Sequence, residues 1–208
     1  MIKLYYAPAA CSQAVHIVLH EAGVGHSSES VDLRAKRTAG GADYWAINPK
    51  GAVPALDLGN GDILTENAAI LQYLGDLHGD DTLFPPVGQM RRYRVLEWLN
   101  FISTELHKGF APLWNPSASA DSKHAARDLL AKKFDFVEQH LGAGPYLLGE
   151  HLTIADPYLF VIANWTGVHD IDLGRWPGLV AFTRRMRERP AVELVLHAEG
   201  LVEEEVAS

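Results

Sequence analysis

The sequence predicts a small α/β domain at the N-terminus followed by an all-α domain. Three observations predict this division. Short apolar strands alternate with helical patterns over residues 1–78. Residues 79–89 have the polar, proline-rich composition of a linker, and from residue 90 the apolar positions recur only at helical spacing. The predicted domains are therefore 1–78 and 90–208, with a linker over 79–89.

Composition fits a folded protein and excludes several classes of function. The chain has 208 residues, of which 48% are hydrophobic and 21% charged, enough apolar surface for a core. The net charge is −8, so the basic surface that nucleic-acid binding requires is missing. No run of about 20 apolar residues predicts a membrane span. The single cysteine, Cys11, excludes an internal disulfide and favours a reducing cytoplasm.

The elements of the first domain follow from local patterns. The apolar start up to Tyr6 predicts a strand, and Asn60-Gly61 predicts a hairpin. Thr65 is expected to cap the helix that follows. The predicted order is strand 2–6, helix from 12 to Gly23, strand 30–33, a loose helix at 44–47, strand 53–58, strand 63–64 and a helix from 66.

The second domain is predicted from four helical patterns. An apolar stripe runs from Leu96 to Phe110 and ends near Pro112. A second helix covers 125–141, and a capping box at 153–156 opens an apolar, central third one. A fourth covers 179–188 and is closed by Pro190, and the acidic residues 203–205 are expected to fray.

Cys11 is a candidate nucleophile because it lies where a strand-loop enters a helix. Unpaired backbone N–H groups and the helix dipole favour a thiolate there. The dipole contributes about 0.3–1 kcal/mol, whereas a pKa of about 7 needs roughly 2 kcal/mol, so a second donor or cation is required. An inert buried cysteine is the alternative interpretation.

His107 is the candidate partner. Asn100, Ser103, Thr104 and His107 lie on neighbouring rows of a predicted helix, beside its apolar stripe. A surface or core histidine is the competing interpretation. His16 and His20 have the i,i+4 spacing of metal ligands, but the sequence shows no third ligand, so no metal is expected.

Two further features predict a site that binds the ammonium and carboxylate groups of an amino acid or peptide. Val53-Pro54 follows a turn and opens a strand, a setting that suits a cis bond, although trans is the commoner form. A cis bond would turn the Val53 backbone outward to pair with an extended peptide. Glu66 and Asn67 begin the next helix, where a carboxylate and free N–H groups could bind an ammonium and a carboxylate. Alternatively, the Glu66 carboxylate only stabilises the N-terminus of this helix and binds no ligand.

These residues resemble the bacterial beta-class glutathione S-transferases along nearly the whole chain. The resemblance implies the glutathione transferase fold, an α/β thioredoxin-like N-terminal domain plus an all-α C-terminal domain. It rests on the order and spacing of ACS (10–12), NPKGAVPAL (48–56), LTEN (64–67), EWLN (97–100), TELHKGF (104–110) and TIAD (153–156).

The resemblance also implies roles for individual residues. Cys11 is implied to be the catalytic cysteine near the glutathione sulfur, and His107, with Asn100 and Thr104, to face that sulfur. The remaining implied glutathione ligands are Lys36 for the glycyl carboxylate, a cis Val53-Pro54 for the peptide backbone, and Glu66 and Asn67 for the γ-glutamyl end. Many relatives carry Ser or Gly at the position of Asn67.

The activity implied is conjugation of the glutathione thiolate to small hydrophobic electrophiles by a cytoplasmic homodimer. Glutathione is a co-substrate, and no permanently bound cofactor is expected. Phe110, Leu113 and Trp114 are candidates for the electrophile pocket, or alternatively core residues.

Three alternative functions stay open at this point. Cys11 could instead exchange disulfides or act as a peroxidase, using a second glutathione because no second cysteine is present. A glutathione-dependent isomerase would need an arginine-lined second pocket, and Arg91, Arg92 and Arg94 are expected to face solvent. The last alternative is a non-enzymatic module that binds glutathione, another ligand or a partner protein.

Overall fold

Two units make up the computed structural model, which describes residues 1–142 and 144–202. The first unit contains Met1–Asp80 together with the C-terminal segment from Arg187, and the second contains Asp81–Met186. The acidic residues 203–205, expected to fray, lie outside the described residues.

The first unit is built on a five-stranded mixed sheet in the order β3-β2-β1-β4-β5. Strand β1 pairs in parallel with β2 and antiparallel with β4. Leu4 and Leu56 are opposite each other in the β1–β4 pair, and both are fully buried. The strands are β1 (Ile2–Tyr6), β2 (His26–Asp32), β3 (Arg37–Thr38), β4 (Ala55–Asp57) and β5 (Ile63–Thr65).

Three helices join these strands, and their bounds confirm most of the local predictions. They are α1 (Ser12–Glu21), α2 (Tyr44–Ile47) and α3 (Asn67–His78). Gly23 follows α1 at φ +61°, as a C-terminal glycine should. The predicted cap of α3 is wrong, because Thr65 belongs to β5 and Glu66 takes the N-cap position without a side-chain hydrogen bond. Strand β3 was not predicted, since two residues carry no periodicity.

The last helix, α9 (Pro190–Ala198), belongs to the first unit and packs on α1. Arg189 supports this packing with two hydrogen bonds to Glu21, at 2.6 and 2.8 Å. The prediction of one domain over 90–208 is therefore corrected for this segment. Pro190 was expected only to end a helix, but it also occupies the first turn of the next one, where its missing N–H costs nothing.

Apart from an isolated bridge between Tyr146 and Gly149, the regular elements in the described residues of the second unit are helical. The predicted stripe over 96–110 is interrupted, because a π-helical segment, Ile102–His107, and a 3-10 turn, Lys108–Phe110, follow α4. A short helix then contains Pro112. The helices are α4 (Met90–Phe101), α5 (Ala111–Trp114), α6 (Ala120–Leu141), α7 (Ala155–Val168) and α8 (Pro177–Arg187), with a 3-10 turn at Leu173–Arg175.

The predicted linker is packed rather than loose in its middle part. Leu83 and Phe84 are buried, and the Leu83 carbonyl accepts a hydrogen bond from Ile154 N at 3.1 Å. Arg92 is also buried, with its guanidinium 3.7 Å from the Phe84 ring centroid and a 2.9 Å bond to the Pro85 carbonyl. The expectation that Arg92 faces solvent is therefore wrong.

The capping box predicted at 153–156 is present. The buried Asp156 carboxylate accepts hydrogen bonds from the Thr153 backbone N–H at 2.7 Å and from the Thr153 hydroxyl at 2.9 Å. It also accepts one from Leu147 N at 2.8 Å. Helix α7 behind it is buried from residue 155 to 163, as its apolar sequence predicts. Within the described ranges, no helix is both long enough and apolar enough to cross a bilayer.

Candidate active site

Residues 50–54, called the 50–54 segment below, run between α2 and β4. Gly51 has φ +61°, and a Cβ there would lie 2.6 Å from the Trp45 ring, so both the conformation and the space require glycine. The Ala52 carbonyl accepts hydrogen bonds from Tyr44 Oη at 2.8 Å and Asn48 Nδ2 at 2.7 Å. The Val53-Pro54 peptide is cis, as expected. Side chains from α2 and the turn after it thus fix this segment.

The 50–54 segment contacts three of the side chains singled out from the sequence. Cys11 Sγ donates to the Val53 carbonyl oxygen at 3.3 Å, and Lys36 Nζ donates to the Gly51 carbonyl oxygen at 2.6 Å. Lys50 Nζ, within the segment, bonds to Glu66 Oε1 at 2.5 Å. Residues far apart in sequence therefore meet along one short stretch of backbone.

Cys11 takes the N-cap position of α1 and is buried. Burial, with a smaller contribution from the Glu66 charge, raises its pKa to about 12, although the backbone N–H groups of Cys11 and Ser12 act in the opposite direction. Of the two interpretations left open for Cys11, the buried protonated cysteine rather than the thiolate describes the free protein. Desolvation outweighs the helix N-terminus, and the thiol keeps its proton to donate to Val53.

The start of α3 places a charged and a neutral polar side chain next to each other. Glu66 has φ +73°, and its side chain is 69% exposed and paired with Lys50. Lys50 Nζ also donates to Thr65 Oγ1 at 3.0 Å. The Asn67 amide is buried, and neither its nitrogen nor its oxygen makes a hydrogen bond within the described part of the chain. A buried, unpaired amide is costly, so it is a group available to a ligand.

Two ammonium groups lie at the start of the 50–54 segment. Lys36 has φ +55°, and its ammonium lies 5.5 Å from the Trp45 ring centroid. Lys36 and Lys50 together place two ammonium groups against the single carboxylate of Glu66. This arrangement suits an extended ligand that carries more carboxylates than ammonium groups.

His107, in the second unit, ends the π-helical segment. Its Nδ1 lies 2.7 Å from Tyr158 Oη, and its ring centroid lies 4.9 Å from that of Trp165. Burial lowers its pKa to about 4, and the charge of Lys108 acts in the same direction. At neutral pH His107 is therefore an uncharged imidazole, so of the two kinds of partner considered for Cys11, a donor or a cation, it can act only as a donor.

The other second-unit candidates divide into exposed and buried residues. Thr104 Oγ1 donates to the Asn100 carbonyl at 3.0 Å, and both residues are exposed. Phe110 has 0% exposure and Leu113 has 7%, so they belong to the core rather than to an open pocket. Trp114 is 49% exposed and remains a candidate pocket residue.

Two residues of the site were missed in the sequence. Lys50 lies in the turn before Val53-Pro54. Its positive charge, close to the predicted Glu66 site, could have indicated that it belongs to the site. Tyr158 was hidden in the apolar run of α7, although a buried tyrosine hydroxyl generally needs a hydrogen-bond partner.

Comparison with known proteins agrees with this architecture. Residues 9–77 match the glutathione S-transferase N-terminal domain, and residues 101–190 match the glutathione S-transferase C-terminal domain. Glutathione S-transferase GstA of Escherichia coli O157:H7 is 46% identical over 200 residues, covering 96% of this chain and 100% of that protein.

Solved structures give the same result. The glutathione transferase of Methylococcus capsulatus superposes with a TM-score of 0.95 at 50% identity, covering 97% of this chain and 100% of that one. A sphingomonad glutathione S-transferase complexed with glutathione superposes with a TM-score of 0.92 at 39% identity. The beta-class glutathione S-transferase of Sphingomonas chungbukensis superposes with a TM-score of 0.92 at 40% identity, and each comparison covers 96% of this chain and 100% of the other.

A mixed sheet packed with helices, a helical second unit and a segment with a cis proline before β4 define a glutathione-transferase-like protein. The chain belongs to the glutathione S-transferase family, and its resemblance to the bacterial beta class is confirmed.

Proposed function

We propose that this protein is a glutathione transferase that joins the thiol of glutathione to small hydrophobic electrophiles. The observation that carries the proposal is the meeting of Cys11, Lys36 and Glu66 along the 50–54 segment. Glutathione is an extended tripeptide with one ammonium and two carboxylates, which is the pattern of charge that the segment and its neighbours complement.

The family resemblance implies one orientation of glutathione along the segment, and the charges are compatible with it. Lys36 binds the glycyl carboxylate, and the backbone of Val53 pairs with the cysteinyl part of the peptide. Glu66 binds the γ-glutamyl ammonium, and the buried Asn67 amide gains the hydrogen bonds that it lacks among the described residues. The glutathione complex of the sphingomonad relative supports glutathione as the co-substrate.

In the reaction, the glutathione sulfur forms a bond to the electrophilic carbon while the leaving group departs, and the thiol proton passes to solvent. Cys11 contributes as a neutral S–H group, since its high pKa keeps it protonated. His107 contributes as a neutral imidazole, which can still donate one hydrogen bond to sulfur. Trp114 is the remaining candidate for the electrophile pocket.

The structure favours conjugation over the alternatives. Disulfide exchange needs a Cys11 thiolate, which burial suppresses in the free protein. An isomerase with an arginine-lined pocket loses one candidate, because Arg92 packs on Phe84. A non-enzymatic module is distinguished by the assay below.

The test is a calorimetric titration with glutathione together with conjugation of chlorodinitrobenzene. We expect binding and turnover in the wild type, and at least a tenfold rise in the KM for glutathione in Lys36→Met and in Glu66→Gln. Glu97→Gln, which removes an exposed carboxylate paired with Arg94 on α4, is the matched control and should leave the KM unchanged. Binding without conjugation would favour a binding module, and absence of both would overturn the site.

The chemistry of Cys11 is tested separately, by measuring the intact mass of the protein after mild oxidation in the presence of glutathione. If conjugation is the main activity, Cys11→Ala retains turnover within about tenfold and only loses the ability to gain one glutathione mass. Abolished turnover in a folded Cys11→Ala protein would instead make Cys11 the nucleophile.

Two finer features follow the family resemblance. We propose that the protein works as a homodimer in the cytoplasm, where its single thiol stays reduced. Light scattering after size-exclusion chromatography should give twice the chain mass of 22.9 kDa, and a monomeric mass would contradict the proposal.

A further inference from the structure

Three histidines of the first unit converge away from the 50–54 segment. His16 and His20 lie one turn apart on α1, and His26 begins β2. One ring nitrogen from each lies within 4.8 Å of the others. The ring centroids are 5.0 to 5.7 Å apart. The third ligand that the sequence did not show is therefore His26, supplied by the next element.

Two of the three rings are oriented by hydrogen bonds on their other nitrogen. His16 Nδ1 is 3.1 Å from the Glu199 carboxylate, whose side chain is fully buried. His26 Nδ1 is 2.8 Å from the Val24 carbonyl oxygen. Both acceptors occupy Nδ1, so Nε2 is the nitrogen of each ring that remains to bind a metal ion. Such carboxylate and carbonyl partners are typical behind metal-bound histidines.

The surroundings leave the cluster free to bind a cation. Glu21, the neighbouring carboxylate in sequence, is engaged by Arg189 rather than by a histidine. His16 is buried against the Tyr6 ring, with 5.2 Å between centroids, while His20 and His26 are partly exposed and give access to solvent.

We propose that His16, His20 and His26 form a three-histidine site for a divalent transition-metal ion such as Zn²⁺, with water in the fourth position. Two nitrogens on a tetrahedral Zn²⁺, at about 2.0–2.1 Å from the ion, are roughly 3.3 Å apart, so rotations of the half-buried rings suffice to close the site. An all-imidazole donor set suits Zn²⁺, Co²⁺, Ni²⁺ and Cu²⁺ rather than Mg²⁺ or Ca²⁺.

The bound ion would link three parts of the first unit. It joins α1 directly to β2, and through His16 and Glu199 it reaches the segment after α9. Because the unfolded chain lacks this arrangement, metal binding adds to the stability of the folded chain. The hydrogen bonds that join Cys11, Lys36 and Glu66 to the 50–54 segment involve none of these histidines, so metal binding should be independent of conjugation.

The test uses tag-free, chelator-treated full-length protein without glutathione, titrated with ZnCl₂ by calorimetry and with CoCl₂ by visible absorption. We expect one ion per chain, a tetrahedral Co²⁺ spectrum and a higher Tm with Zn²⁺. His20→Gln and His26→Gln should each weaken Zn²⁺ binding by at least about 100-fold, and Glu199→Gln by about 10- to 100-fold.

His124→Gln is the matched control, because His124 is an exposed histidine at i,i+4 from an acidic partner, Asp128. It should bind Zn²⁺ as the wild type does. Circular dichroism of the metal-free variants separates misfolding from ligand loss, and conjugation by the metal-free enzyme should be unchanged. Absence of stoichiometric binding, or equal affinity of wild type and the cluster variants, would overturn the proposal.

Discussion

The Cys11 thiol donates a hydrogen bond to the Val53 carbonyl oxygen, with Sγ and O 3.3 Å apart. This contact links the N-terminus of α1 to the 50–54 segment, and it requires a protonated sulfur. A helix N-terminus with a cysteine is usually taken as a thiolate site. Here burial reverses that expectation, since the backbone N–H groups do not compensate for the water that the thiol has lost.

Alkylation of Cys11 in the free protein should be slow. A pKa of about 12 leaves far less thiolate at pH 7.5 than in an ordinary thiol, so we expect reaction with iodoacetamide at least about 100 times slower than for free cysteine. Stopped aliquots analysed by intact mass give the rate. A rate equal to that of free cysteine in the folded protein would contradict the buried, protonated thiol.

Acid should destabilise the protein in part through His107. As pH falls below about 6.5, the unfolded chain protonates this histidine while the folded chain does so only near pH 4, so stability is lost across that window. The full difference corresponds to roughly 3 kcal/mol. The Tm of the wild type should therefore fall more steeply between pH 6.5 and 4 than that of His107→Asn.

His124→Asn provides the comparison for this pH series, because that side chain is 78% exposed. Its Tm should follow the wild type. Parallel pH profiles for wild type and His107→Asn would show that burial does not suppress protonation of His107.

Replacing Asn67 by leucine should separate stability from ligand binding. Leucine has a similar volume and removes two buried polar atoms that make no hydrogen bond in the described structure, so the Tm without glutathione should rise. The same change should weaken glutathione binding at least tenfold, as measured by calorimetry. Asn67→Ser, which keeps a hydroxyl, should bind more tightly than Asn67→Leu; unchanged affinity in both would remove Asn67 from the site.

Glu199→Gln should destabilise the first unit by about 2–4 kcal/mol. The Glu199 carboxylate is fully buried and accepts hydrogen bonds from Ala9 N, Gln13 Nε2 and His16 Nδ1, at 3.0 to 3.1 Å. Denaturant unfolding of the metal-free protein measures the loss. Glu193→Gln changes an exposed carboxylate on α9 and should have little effect; equal stability of the two variants would refute the argument.

Four of the five strands, most helices and the chemical motifs could be predicted from the sequence because they depend on local patterns. Apolar periodicity located α1 and α7, Asn60-Gly61 located the β4–β5 hairpin, and the capping box placed Asp156 correctly. The two-residue β3 and the π-helical turn at Ile102–His107 were missed, since neither leaves a distinctive spacing.

The charge states of the site residues, and the meeting of side chains that are distant in sequence, were in contrast decided by tertiary packing. The pKa values of Cys11 and His107 depend on how much water the surrounding elements exclude, which no local pattern encodes. Helix α9 packs on α1, and His26 completes a cluster with His16 and His20, only after the chain has folded back on itself. Residue types and their local spacing thus identified the candidates, while long-range contacts determined which groups carry charge and which side chains meet.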